Sequence, residues 1–286
     1  MMPESRLRIA TCQFSESFQP RQNAAIIRRY IARAKRLRAD VVHFHECAAS
    51  GYGGKVASDD YDWAALREST ESVLAEARRQ SIWVVLGSSH PLTGGHKPHN
   101  SLYLISPQGR IVDRYDKRFC TDGDLHIYSP GDHFTTFKLN GIVCSLLICY
   151  DLRFPELYRQ LYQKSVRVVF QSFHNGRGVY EPAKGPNVHS HIMRQTLQAH
   201  AGINAMWLSA PNSSAYYSSW PSVFITPDGM IRGQLKRNQA GLMVNTVDTG
   251  KKYYDASAGW RKRAIRGVLH SGTCVNDPRS ANRNCL

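Results

Sequence analysis

Short apolar runs alternate with amphipathic stretches across residues 6–87, and this alternation admits few folds. Arg6–Phe14 (RLRIATCQF) reads as a strand, and the stretch from about Pro20 to Arg38 sets Ile26, Ile27, Tyr30, Ile31, Ala34 and Leu37 at helical spacing. Val41–His45 predicts a second strand, ending at the Gly-rich loop Ser50–Gly54. A second helix is predicted from about Trp63 to Gln80, and Ile82–Gly87 returns to strand. Strands and helices in this order bury their apolar faces only in layers, so the expected class is α/β with a layered core.

Further along, Ser101–Ile105, Ile111–Tyr115, Phe134–Leu139 and Val143–Cys149 predict short strands joined by turns such as Pro107-Gln-Gly109. A helix should start near Phe154-Pro155, because proline suits the first helical turn. Val166–Gln171 is a predicted strand, His191–Ile203 a helix and Met206–Ala210 a strand. A hairpin is expected around Pro227-Asp228-Gly229, and Gly241–Val247 is a late strand. No linker or repeat interrupts the chain. One domain is expected over residues 1–272, and the polar stretch 273–286 reads as a C-terminal tail.

A net charge of +15 invites a nucleic-acid reading, but its distribution weakens that idea. Residues 1–40 carry nine Lys/Arg against three acids and residues 251–286 eight against two, so the ends supply +12 (6 + 6). Arg28, Arg29, Arg33, Lys35, Arg36 and Arg38 read as the solvated side of one helix. No helix-turn-helix, ribonucleoprotein or zinc-finger pattern accompanies them. The longest apolar runs, such as Ile142–Cys149, are too short to cross a bilayer, and Arg6 and Arg8 interrupt any leader-like stretch. A cytoplasmic, membrane-free protein is the expectation. Seven cysteines at irregular spacing argue against a disulfide framework.

Gly51-Tyr-Gly-Gly-Lys55 fails the phosphate-loop pattern at Ala49 and Val56, and no G-x-S-x-G elbow occurs. His43 and His45 share a strand face, and His189 and His191 could join them on a zinc ion. No C-x-x-C or H-E-x-x-H partner is present, and core or pocket histidines explain them equally. The expected metal set is empty.

The segment Val143–Glu156 (VCSLLICYDLRFPE) carries the chemistry. An apolar strand stops at Cys149 and a helix follows about six residues on, a place where a helix N-terminus favours thiolate. Glu46 follows the strand Val41–His45 and Lys117 follows Ile111–Tyr115, and strand ends are where α/β sheets gather ligands. A carboxylate, an ammonium and a thiol there could serve as base, oxyanion partner and nucleophile. Taken singly, Cys149 reads equally as a buried structural thiol, and Glu46 and Lys117 as loop charges.

Together these segments resemble the nitrilase superfamily from Ile9 to about Gly272. Ile9-Ala-Thr-Cys-Gln13 is similar to its opening strand, and Val42–Glu46 with Ser50-Gly-Tyr52 to its glutamate motif. Asn100–Tyr103 and Gly109–Lys117 (GRIVDRYDK) resemble the lysine segment, Ile148–Glu156 the nucleophile elbow. Ser209-Ala-Pro-Asn212 and Pro227-Asp-Gly229 match later landmarks.

The resemblance implies a four-layer α-β-β-α sandwich, pairing of subunits into a homodimer or larger homo-oligomer, and no cofactor. It also implies a Cys149 thioester intermediate, with the Tyr150 N–H joining Lys117 in the oxyanion hole. The chain departs from the family at Arg118-Phe119-Cys120, where a His-Leu pair is usual, and at Ile203-Asn204, where Glu-Asn is usual. Counting back from Pro130-Gly131 places Asp124 where many members carry a second glutamate, which makes it a fourth catalytic candidate. Tyr52, Tyr150, Phe173, His174 and Asn175 are pocket candidates, although the aromatic rings fit core packing equally. Arg153 reads as an anion-binding group or a brace for Glu156. The elbow sequence resembles the amidase-type branches, so the expected reaction is hydrolysis of a small-molecule amide. N-carbamoyl (ureido) acid hydrolysis is second and nitrile hydrolysis third. The non-enzymatic alternative is an inactive scaffold or a basic binding protein on the same fold.

Overall fold

Alternate residues of β1 (Arg6–Gln13) face two different cores. Leu7 and Ile9 join an apolar cluster shared with a second sheet, whereas Ala10 and Cys12 join one lying under helices. A strand buried on both faces must sit between layers. The computed structural model describes residues 5–176 and 188–284, and its strands form two six-stranded sheets.

The first sheet runs in the order β12 (Gly241–Asp248), β1, β2 (Val41–His43), β3 (Trp83–His90), β4 (His99–Ile105) and β5 (Ile111–Asp116). The second runs β11 (Ile231–Gln234), β10 (Val223–Ile225), β9 (Trp207–Ala210), β8 (Val168–Ser172), β7 (Ile142–Ile148) and β6 (Thr136–Leu139). Helix α1 (Pro20–Arg36) and helix α2 (Trp63–Gln80) cover the first sheet. A single turn, α3 (Asp122–Leu125), follows β5, and α4 (Pro155–Gln163) and α5 (Val188–Asn204) cover the second sheet. The result is the α-β-β-α sandwich that the resemblance implies.

Helix α1 buries Ala24, Ile27, Ile31 and Ala34 and leaves the six basic residues named above exposed. Burying each isoleucine contributes about 1.5–3 kcal/mol. Proline sits in its first turn, and Arg38, with φ 58°, turns the chain out after it. Helix α2 starts where the Asp62 carboxylate accepts the Ala65 N–H at 2.7 Å, and stops at Ser81 in the left-handed region.

Strands β1, β2 and β3 are parallel, and β4 and β5 reverse direction in turn, so β2, β3 and β5 finish at one sheet edge. In the second sheet β7, β8 and β9 are parallel. Some strands are shorter than the sequence predicts. The β2 ladder ends at His43 rather than His45, and β7 ends at Ile148 because Cys149, with φ 40°, leaves the extended region. After Gly272 the described residues are exposed, with one helical turn, α6 (Pro278–Ala281), which the sequence reading left as tail.

A polar seam bolts the sheets together near the site. His43 Nε2 lies 2.9 Å from Ser172 Oγ, and His43 Nδ1 lies 2.9 Å from Ser209 Oγ, which in turn is 2.8 Å from Thr11 Oγ1. Burial holds His43 well below its ordinary pKa, so the ring is neutral at pH 7. Ser172 donates its one hydrogen to the Phe44 carbonyl at 2.7 Å, so it must accept from His43 Nε2–H. Nδ1 is then the acceptor from Ser209, and Thr11 donates to Ser209. Every proton in the seam has one assignment.

Gly87 in β3 lets the loop after β2 lie against the sheet. A Cβ there would stand 2.1 Å from the His45 carbonyl oxygen and 2.7 Å from the Cys47 nitrogen. Gly87→Ala should therefore push the Glu46 loop aside. We expect a loss of about 1–3 kcal/mol in stability with a larger proportional loss of turnover. Denaturant unfolding and steady-state rates would check this; parental values in both would show that the loop tolerates the methyl.

Candidate active site

Cys149 opens a tight 3-10 turn, Cys149–Arg153, that separates β7 from α4. Buried Asp151 braces the turn. Its Oδ2 accepts the Ile148 N–H at 2.9 Å and the Tyr115 hydroxyl at 2.8 Å, and its Oδ1 accepts the Phe119 N–H at 3.0 Å. Burial pushes the carboxyl pKa up to about 6, and the three donors limit the rise. Asp151 thus ties the cysteine turn to the segment that carries Lys117.

Lys117 follows β5 and is almost wholly buried. Its Nζ donates to Glu46 Oε1 at 2.9 Å and to Asp124 Oδ2 at 2.8 Å. Glu46 Oε1 also accepts from Asn100 Nδ2 at 2.7 Å, whereas Oε2 is buried with no hydrogen-bond partner among the described residues. Asp124 is placed by a capping box in α3, in which its N–H donates to Thr121 Oγ1 at 3.0 Å and its Oδ2 accepts the Thr121 N–H at 3.1 Å. Its other oxygen accepts from the Tyr52 hydroxyl at 2.6 Å. Burial works against the Lys117 charge, but the Glu46 and Asp124 carboxylates outweigh it and hold the ammonium firmly protonated. Burial also opposes the Asp124 charge, and Lys117 outweighs it, keeping the carboxyl below its usual range.

The thiol behaves differently. Burial, and then the Glu46 carboxylate, push Cys149 well above its ordinary pKa; Lys117 and the His174 N–H pull the other way without prevailing. The helix-terminus argument from sequence is outweighed here: the resting group is a neutral thiol.

The structure brings Glu46, Lys117, Asp124 and Tyr52 into one hydrogen-bonded set, with Lys117 Nζ 5.9 Å from the Tyr52 ring centre. Asn175 Nδ2 points at Cys149 Sγ from 3.9 Å, and the His174 ring stacks on Tyr52 with centres 4.6 Å apart. Phe173 is placed otherwise: its ring is fully buried against Trp220, and only its carbonyl reaches the site, accepting the Glu46 N–H at 3.3 Å. The Tyr150 ring is partly buried against Phe154. Glu156 is exposed, and no ion pair joins it to Arg153 among the described residues. The side chain of His189 lies outside the described residues, as does Cys285. Among the described residues no group of three His, Cys, Asp or Glu is placed to hold a metal, and the six cysteines are free. Sequence reasoning missed Asn100, Asp151 and Glu16 as site residues. The first two lie inside segments already quoted for the resemblance, which was the signal available.

Residues 8–252 match the sequence profile of carbon-nitrogen hydrolases. The chain belongs to that family. This hydrolase is 26% identical over 255 residues to the omega-amidase of Homo sapiens, covering 85% of this chain and 89% of the relative. It is 30% identical over 172 residues to the 2-oxoglutaramate amidase of Bacillus subtilis (strain 168), covering 57% and 63%. Its match to an (R)-stereoselective amidase of Pseudomonas sp. is 32% identical but spans only 46% of each chain. The fold of the hydrolase superposes on a nitrilase-superfamily amidase of Nesterenkonia with a TM-score of 0.75 at 21% identity, over 93% of this chain and 98% of that one. It is an enzyme of amidase-like type. No helix among its described residues is long and apolar enough to cross a membrane.

Proposed function

We propose that this hydrolase cleaves small linear amides through an acyl-thioester on Cys149. The observation that carries the reading is the buried set in which Lys117 Nζ stands 2.9 Å from Glu46 and 2.8 Å from Asp124, Glu46 Oε2 has no partner among the described residues, and the Phe173–Asn175 segment joins the Glu46 N–H to Cys149 Sγ. Glu46 takes the thiol proton as sulfur attacks the carbonyl carbon, and Lys117 with the Tyr150 N–H receives the developing oxyanion. The tetrahedral species collapses as Glu46 returns the proton to the departing nitrogen, releasing ammonia or an amine. Water, deprotonated by Glu46, then attacks the thioester, and the carboxylic acid leaves with the thiol restored. Asp124 keeps Lys117 in place and compensates its charge. Tyr52, His174 and Asn175 line the acyl pocket. One structure of the Nesterenkonia amidase holds butyramide and another carries an acetamide group on its active-site cysteine, which supports a short acyl chain as substrate. The reading takes residues 1–272 as the hydrolase domain with a C-terminal tail, working as a homo-oligomer in the cytoplasm.

A panel of short amides, ureido acids and nitriles, scored by ammonia release and intact mass, tests this proposal. We expect turnover on amides and an acyl adduct on Cys149. Faster release from ureido acids would replace amide with carbamoyl chemistry, and silence throughout with no adduct would favour an inactive scaffold.

Asp124→Asn should lower kcat by about 10- to 100-fold, since the amide cannot balance the ammonium and Lys117 shifts toward Glu46. Unchanged kcat and KM would reduce Asp124 to a loop residue.

A further inference from the structure

A further buried carboxylate stands behind the pocket wall, and the mechanism above does not use it. Glu16 lies in the loop after β1, and its side chain is fully buried. Its Oε1 is 2.9 Å from His174 Nε2, its Oε2 accepts from Ser213 Oγ at 2.5 Å, and His45 Nε2 lies 3.4 Å from Oε2. Burial opposes the charge, but His174 and the Ser213 hydroxyl outweigh it and hold the carboxyl well below the usual range. Burial also pushes His45 down to about 4, so that ring is neutral at pH 7.

What Glu16 grips is significant. The segment Phe173–Asn175 touches both reacting groups at once. The Phe173 carbonyl accepts the Glu46 N–H at 3.3 Å, and the Asn175 amide lies 3.9 Å from Cys149 Sγ. The segment is fixed from the second sheet by the Asn175 N–H, which donates to Asn212 Oδ1 at 2.8 Å. From the first sheet it is held by Glu16, through the ring of His174. That ring also stacks on Tyr52, which donates to Asp124.

We propose that Glu16 is a positioning residue for turnover: through the His174 ring it sets the Phe173–Asn175 segment against Cys149 and Glu46. The inference rests on the thioester reading given above. The Glu16 carboxylate never meets substrate and acts only by placement and by its charge.

The test uses the full chain with Glu16→Gln, which keeps size and shape. On the best amide of the panel we expect kcat to fall about 10- to 100-fold, with KM changed by less than about threefold. Alkylation of Cys149 by iodoacetamide, followed against pH, should shift its profile, because the Asn175 amide that faces the sulfur from 3.9 Å is no longer held in place. The titratable groups bearing on that profile are Tyr52, Glu46, Lys117 and Asp124. Glu16→Gln added to His174→Gln should slow the enzyme no further than His174→Gln alone. A parental kcat and alkylation profile in Glu16→Gln, or full additivity in the double variant, would overturn the proposal. If Glu16→Gln does not fold, His174→Gln alone decides, and a parental kcat there overturns it equally. Should Cys149→Ala retain turnover, the thioester reading itself fails; with that variant inactive and Glu16→Gln at the parental rate, only the role of Glu16 falls.

Discussion

Cys149→Ala should lower turnover by at least about 10⁴-fold while the protein folds as before. The alanine removes only the sulfur, and the turn that positions it is held by Asp151 through the Ile148 and Phe119 N–H groups and the Tyr115 hydroxyl. The buried Cys47 thiol is engaged elsewhere, donating to Asn100 Oδ1 at 3.5 Å and lying 3.7 Å from the Tyr128 hydroxyl, so it does not replace the nucleophile. Ammonia release from the best amide measures the loss. Intact mass of the parent during turnover should show the acyl adduct, and the variant should show none. Parental turnover in Cys149→Ala would end the covalent mechanism.

Lys117→Met should damage both stability and rate. In the parent, one ammonium stands 2.9 Å from Glu46 and 2.8 Å from Asp124, all three buried. Removing it leaves two carboxylates facing each other without a cation, at a cost of about 3–5 kcal/mol near neutral pH. The loss of an oxyanion partner adds a fall of about 10²- to 10³-fold in kcat. The pH dependence should also change sign. In the parent, the folded pKa of Asp124 lies below its usual 3.8, so its stabilisation is present above that value and lost as pH falls through the folded pKa. In the variant the folded carboxylates are raised instead, so stability should recover as pH drops below neutrality. Denaturation midpoints at pH 5 and pH 8 separate the two signs; a variant that is more stable at pH 8 would contradict the assignment of charges.

The parts of the site legible in the sequence were those that end an apolar run. Glu46, Lys117 and Cys149 each follow a strand, and strand ends can be read from periodicity. Asp124 was found by counting back from Pro130-Gly131, and the close approach there is physical: a Cβ on Gly131 would sit 2.5 Å from the Asp116 carbonyl oxygen. Layering was legible too, because β1 and β2 are apolar on both faces. Pairings across the sandwich were not. Glu16 meets His174 across 158 positions, and Thr11 meets Ser209 across 198, with no local pattern to announce either contact. The state of the thiol was misjudged for the same reason. A helix terminus is visible in sequence, but the depth of burial and the nearness of Glu46 are properties of the assembled layers.

The two sheets contribute unequal shares of the chemistry. Glu46 and Lys117 follow strands of the first sheet and Cys149 follows a strand of the second, and the His43 seam joins the two. On the proposed mechanism neither half turns over amide by itself: one holds the base and the ammonium with no nucleophile, the other a thiol with nothing to deprotonate it. On that mechanism amide turnover requires the two sheets to be docked in register, so recovery of turnover during refolding can serve as a clock for that docking.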